Sequence, residues 1–118
     1  MNAIPLIAKG TSEDEQTTLD INYYLGIDTD NGNVIAADFE EGAGGSSPSL
    51  NHPVHGVTTI IDGIWYLAAA AYDGTTWRLY LNGVLEATLA VGQPPALPTT
   101  SPSTTATRWN WRGKRFPT

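Results

Sequence analysis

There is no cysteine among the 118 residues, so neither a disulfide nor a thiolate metal site can hold this chain together. That absence does not identify a compartment, because domains above about 100 residues bury enough apolar surface to do without covalent staples. Basic residues are also scarce: six Lys and Arg stand against 12 Asp and Glu, a formal net charge of -6. Nucleic-acid binding is disfavoured, since displacing counterions from phosphates needs a basic surface. Four of those six cations (Arg108, Arg112, Lys114, Arg115) fall after position 107, so the rest of the chain is more acidic than the total suggests. Long apolar runs are missing as well. The opening Met1-Asn2-Ala3-Ile4-Pro5-Leu6-Ile7-Ala8 lacks a basic start and is broken by Pro5, which fits neither a signal peptide nor a membrane span. No membrane partner is expected, and localisation is left open.

What the chain does have is 12 Gly and 8 Pro, recurring with Asn, Asp and Ser between short apolar runs. This is how turns punctuate short strands, and with 41% hydrophobic residues the chain supports one all-β core. Residues 4 to 8 read as an edge strand. Leu19, Ile21, Tyr23 and Leu25 alternate with polar or small residues, and the alternating set is expected to be the buried face. The cluster Asp28-Thr29-Asp30-Asn31-Gly32-Asn33 then turns the chain into a second strand through Phe39, forming a hairpin. Residues 41 to 56 are Gly-, Ser- and Pro-rich and read as a long loop, followed by a strand from Val57 to Ile61.

The segment Ile64 to Tyr72 carries four alanines, which favour helix, but Asp62-Gly63 and Asp73-Gly74 leave only nine residues between turns. A buried strand is expected there. Trp77 to Leu81 alternates, Asn82-Gly83 supplies the two positive-φ positions of a type I′ turn, and Val84 to Val91 alternates again. Residues 93 to 118, Pro/Thr/Ser-rich and then basic, show no period and are expected to be irregular, which places the folded part at residues 1 to 92.

The run Ile64-Trp65-Tyr66-Leu67-Ala68, Tyr72-Asp73-Gly74 and Leu79-Tyr80-Leu81-Asn82-Gly83 resembles the corresponding stretch of laminin-G-like, concanavalin A-like jelly rolls. Ile7-Ala8-Lys9-Gly10, Tyr24-Leu25-Gly26-Ile27-Asp28 and Asn33 to Phe39 are similar to earlier strands of that family, so the resemblance covers roughly residues 4 to 95. It implies an antiparallel β-sandwich and a non-catalytic binding module, recognising a glycan or a protein surface within a larger extracellular-type protein. The family fold is usually longer, so the resemblance also implies a sandwich that is incomplete as a single chain. Its exposed strand edges are expected to pair with a second copy, giving a homo-oligomer.

Several residues are candidates for chemistry. Asp38 and Glu40 share a strand face and Glu41 follows, the residue types a glycoside hydrolase of this fold would use, although their spacing is not the family's catalytic pattern. A solvated strand end is the plainer reading. Asp28 and Asp30 supply oxygen ligands, and calcium is a cofactor the family often takes, yet an EF-hand spacing is absent and a hairpin turn explains the cluster. Asp62 and Asp73 have no ligand spacing, and Ser46, Ser47 and Ser49 lack the setting of a nucleophile. His52 and His55 read as surface loop histidines, with a ligand-binding role as the alternative. Tyr24, Tyr66 and Tyr72 are candidate ligand contacts, whereas Trp65 and Trp77 are expected in the core.

Overall fold

The computed structural model describes residues 2–10, 21–96, 108–110 and 115–116, and the regular elements among them are all β-strands. In chain order they are β1 (Asn2–Gly10), β2 (Ile21–Asp28), β3 (Val34–Phe39), β4 (Val54–Thr59), β5 (Ala68–Tyr72), β6 (Thr76–Leu81), β7 (Val84–Ala90), β8 (Arg108–Asn110) and β9 (Arg115–Phe116). They form two antiparallel sheets, one in the order β4-β3-β2-β1-β8-β9 and one in the order β5-β6-β7. The two pack face to face as a β-sandwich.

The turns follow from residue chemistry. Asn82 (φ 51°) and Gly83 (φ 78°) hold the left-handed positions of the β6–β7 turn, matching the right-handed twist of the strands they join. Asp73 shapes the β5–β6 turn: its carboxylate accepts the N–H groups of Thr75 and Thr76 and lies 2.7 Å from the Arg78 guanidinium. The Arg78 contact and these N–H donors hold the Asp73 carboxyl well below the usual carboxylate range.

The core lies between the layers. Ile35, Ala37 and Phe39 of β3 meet Trp77, Leu79 and Leu81 of β6, with Val54 of β4 beside them. The rings of Phe39, Tyr72 and Trp77 pack with centroids 4.5 to 6.0 Å apart, the tilted and edge-on arrangements aromatic quadrupoles favour.

Several sequence expectations change here. Tyr23 and Leu25 do pack on the core, but the opposite face of β2 is the more deeply covered, with Tyr24 and Asp28 fully buried. Alternation alone could not show this, because a central strand is enclosed on both faces. The fourth strand begins at Val54 instead of Val57, so the long loop ends earlier. β5 begins at Ala68 and alternates between half-buried and exposed residues, and Trp65, expected in the core, is 98% exposed. β1 takes β2 on one side along its length and β8 on the other at Asn2 and Ala3, so the strand is longer than the expected residues 4 to 8, which have β2 as their one strand partner among the described residues. Residues 93–118 were expected to be irregular, yet 108–110 and 115–116 are strands, and Ala96 is buried against Glu40. That short pairing depends on partners distant in the chain, and local periodicity carries no trace of it.

Candidate functional site

Antiparallel register brings the sequence candidates onto the outer face of the larger sheet. Tyr24 of β2 lies opposite Asp38 of β3, and Gly26 opposite Ala36, which in turn lies opposite His55 of β4. Asp28, Asp38 and Glu40 are buried, at 0%, 0% and 1% exposure. The reading of a solvated strand end is therefore corrected: the acidic residues here sit beneath covering chain. Tyr24 lies over Gly26, where a Cβ would run into the Tyr24 hydroxyl and the Ile4 carbonyl. Burial, reinforced by the Asp28 carboxylate, pushes the Tyr24 phenol far above its ordinary value, so it remains a neutral hydroxyl.

Asp28 organises the turn that follows it. One oxygen accepts the Asp30 N–H at 3.0 Å; the other takes the Asn31 amide at 2.5 Å and lies 3.0 Å from Nε2 of His55. These contacts occupy both oxygens with protein donors, and Asp30 itself is exposed. Among the described residues no group of three or more His, Asp or Glu has the geometry to hold a metal ion. His55 is correspondingly a strand residue with a carboxylate partner, not a loop histidine.

The loop between β3 and β4 is folded back on itself. Glu41 N–H donates to Leu50, Ser49 N–H to Glu41, and Leu50 N–H to Ser47, while the His52 N–H reaches both the Phe39 carbonyl and the Asp38 carboxylate at 2.7 Å. Glu41 pins it from inside: one oxygen accepts the Ser47 N–H and the other lies 2.9 Å from His52 Nε2. A Cβ on Gly45 would collide with that carboxylate, so the glycine makes room for it. Burial alone would raise the Glu41 carboxyl, but the Ser47 N–H and the His52 ring outweigh it and hold it below the usual range. His52 is 15% exposed and its ring packs at 5.1 Å on Phe39, which corrects the reading of a surface histidine.

Under this loop lies a cavity of about 530 Å³, lined by Asp38, Ser47, Ser49, Leu50, Asn51 and two prolines, Pro48 and Pro53. The size is that of a small-molecule site. Asp38 is the one member of the acidic trio that lines it; Glu40 does not, and Glu41 is engaged with Ser47 and His52. The strand assignment places Asp38 correctly, but Asn51 and Leu50 carry no signal in the sequence beyond lying in a polar loop.

The tyrosine candidates separate. Tyr72 packs on Phe39 and exchanges hydrogen bonds with Gln93, its hydroxyl donating to the carbonyl at 2.7 Å and accepting the N–H at 2.9 Å. The Tyr66 hydroxyl accepts the Ile61 N–H at 3.2 Å at the far end of the sandwich. Both lie between the layers, away from the cavity under the loop.

No curated protein and no solved structure matches the chain. A family model does, that of the concanavalin A-like lectin/glucanases superfamily in its laminin-G form, over residues 2–118, a span that takes in both sheets and the strands of the basic tail. The two antiparallel layers with no helix among the described residues agree with that match, and the chain belongs to this family.

Proposed function

We propose that this domain is a non-catalytic binding module whose ligand is a neutral glycan, held in the cavity beneath the loop of residues 41–53. The observation that carries the reading is the lining of that cavity. Ser47, Ser49 and Asn51 offer hydroxyl and amide groups, Leu50 with the prolines offers apolar surface for the C–H face of a sugar ring, and the Asp38 carboxylate, buried behind them, holds the His52 N–H that shapes the loop. The family includes binding modules and glycan-cleaving enzymes alike. Fold alone therefore does not choose between them.

The alternative is a glycan hydrolase using Asp38, Glu40 and Glu41. Hydrolysis needs two carboxyl groups flanking one glycosidic bond, about 5 to 9.5 Å apart and both in reach of the substrate. Here Asp38 lines the cavity without Glu40, and Glu41 is committed to the loop. A cavity whose one lining carboxylate is itself buried suits recognition better than acid–base chemistry.

A glycan array probed with the full chain tests this. Binding that is lost in Asp38→Asn, with Asp62→Asn as a surface control that still binds, is the expected result. Turnover of chromogenic glycosides that disappears in Asp38→Asn and Glu40→Gln would instead establish the hydrolase.

A further inference from the structure

Glu41 stands where the chain leaves β3 for the loop, and its main chain and its side chain hold different parts of that loop. The main chain holds the base: its N–H donates to the Leu50 carbonyl and its carbonyl accepts the Ser49 N–H. Main-chain groups do not titrate, so this pairing is the same at every pH. The side chain holds the tip, accepting the Ser47 N–H on one oxygen and standing 2.9 Å from His52 Nε2 with the other. A carboxylate only accepts, so the ring nitrogen facing it is the one that carries a proton. Gly45 lies against the same carboxylate, at a position where a Cβ would overlap it. The tip is further tied by the Ser46 N–H, which reaches the Gln93 side chain, and by the turn from the Gly45 N–H to the Gly42 carbonyl.

Both side-chain contacts of Glu41 are made to donors, one for each oxygen. A neutral carboxyl keeps one good acceptor, its carbonyl oxygen, while the other oxygen carries a proton and becomes a donor. Protonation therefore sets a donor against a donor at one of the two contacts. The ionisable groups around Glu41 are few. His52 faces it from the far arm of the loop, Glu40 precedes it, and the Asp38 carboxylate is held on the His52 N–H. The segment paired with residues 40 to 42, Gln93 to Ala96, carries no ionisable side chain, and the Tyr72 hydroxyl beside it is held by Gln93.

We propose that Glu41 is an acid-sensitive latch on the cavity: when it takes up a proton, the loop tip carrying Ser47 and Pro48 comes away and the bound ligand is released. This regulation rests on the glycan reading of that cavity, whose lining includes both residues. Burial would raise the Glu41 carboxyl, but the Ser47 N–H and the His52 ring outweigh it. The latch is accordingly closed above the ordinary value of 4.5 and opens as pH falls through a lower one. The main-chain pairing at the base stays in place, so the opening is local and reverses when the pH is restored.

Amide hydrogen exchange read by NMR on the full chain, over about pH 6 to about pH 3 and divided by intrinsic rates, tests the latch without any ligand. The Ser47 amide is expected to lose protection roughly tenfold or more across one titration step, the size of one charge-assisted hydrogen bond, while the amides of β6 keep theirs. In Glu41→Gln the step is absent. Gly45→Ala, which crowds the carboxylate, brings Ser47 to its acid level of protection already at neutral pH. Ser47 protection that holds to the acid end, or that is lost only together with β6, overturns the proposal. So does a Glu41→Gln protein that keeps the parent's step. A glycan selected on the array at neutral pH is expected to bind more weakly below the step, and equal affinity on both sides overturns the coupling to the cavity. A chain that binds no glycan at any pH contradicts the binding reading instead, and the Ser47 amide still decides the latch.

Discussion

Nε2 of His52 stands 2.9 Å from Oε1 of Glu41, eleven residues earlier in the chain, and the contact closes the loop that roofs the Asp38 cavity. The other Glu41 oxygen accepts the Ser47 N–H, so one carboxylate ties both arms of the loop to the end of β3. A loop held this way is preorganised for a ligand, which lowers the ordering cost of binding.

Because the folded protein holds the Glu41 carboxyl below its ordinary value of 4.5, the carboxylate stabilises the fold fully above that pH. The contribution fades as pH falls through the lowered value. Glu41→Gln is expected to unfold more readily than the parent at neutral pH and to lose part of the acid dependence, so the two unfolding midpoints converge below pH 4.5. Chemical denaturation at a series of pH values checks this. Equal midpoints at neutral pH would show that the contact contributes nothing.

Trp77 and Trp65 are predicted to behave oppositely. Trp77 is 5% exposed and packs edge-on against Phe39 and Tyr72, so Trp77→Ala is expected to cost about 3–5 kcal/mol. Trp65 is 98% exposed, and Trp65→Ala should stay within about 0.5 kcal/mol. Urea titrations of the two variants, read by circular dichroism, decide it.

Gly26 is predicted to be intolerant for a spatial reason, since the Tyr24 hydroxyl and the Ile4 carbonyl occupy the place of its missing Cβ. Gly26→Ala should destabilise by about 1–3 kcal/mol, the usual cost of overfilling a packed site. Pairing it with Tyr24→Phe, which vacates the hydroxyl position, should recover part of that loss in a double-mutant comparison.

What could be read from the residues was whatever depends on near neighbours. Asn82-Gly83 and the alternation of Trp77, Leu79 and Leu81 announce the β6–β7 hairpin, and the Asp28–Asn33 cluster announces the turn between β2 and β3. Burial on the outer sheet face was not legible, because it depends on what covers β3, and Asp38 and Glu40 look like solvated carboxylates in isolation. Trp65 fails for the converse reason. Its family motif points to a core strand, but the strand begins three residues later, at Ala68, leaving the indole outside. The partners of His52 and His55 were likewise hidden, since Glu41 and Asp28 reach them only through the folded loop and the sheet register.

The binding account is tested most directly by what replacing Asp38, whose carboxylate holds the His52 N–H at the base of the loop, does to glycan binding in solution. Isothermal titration of an array-selected glycan into the full chain, followed by chromatography of the same solution, reads affinity and cleavage together. The account predicts saturable binding, weakened at least tenfold in Asp38→Asn, corresponding to about 1.4 kcal/mol, with the glycan recovered intact. Recovery of shortened products, or undiminished affinity in Asp38→Asn, would contradict it.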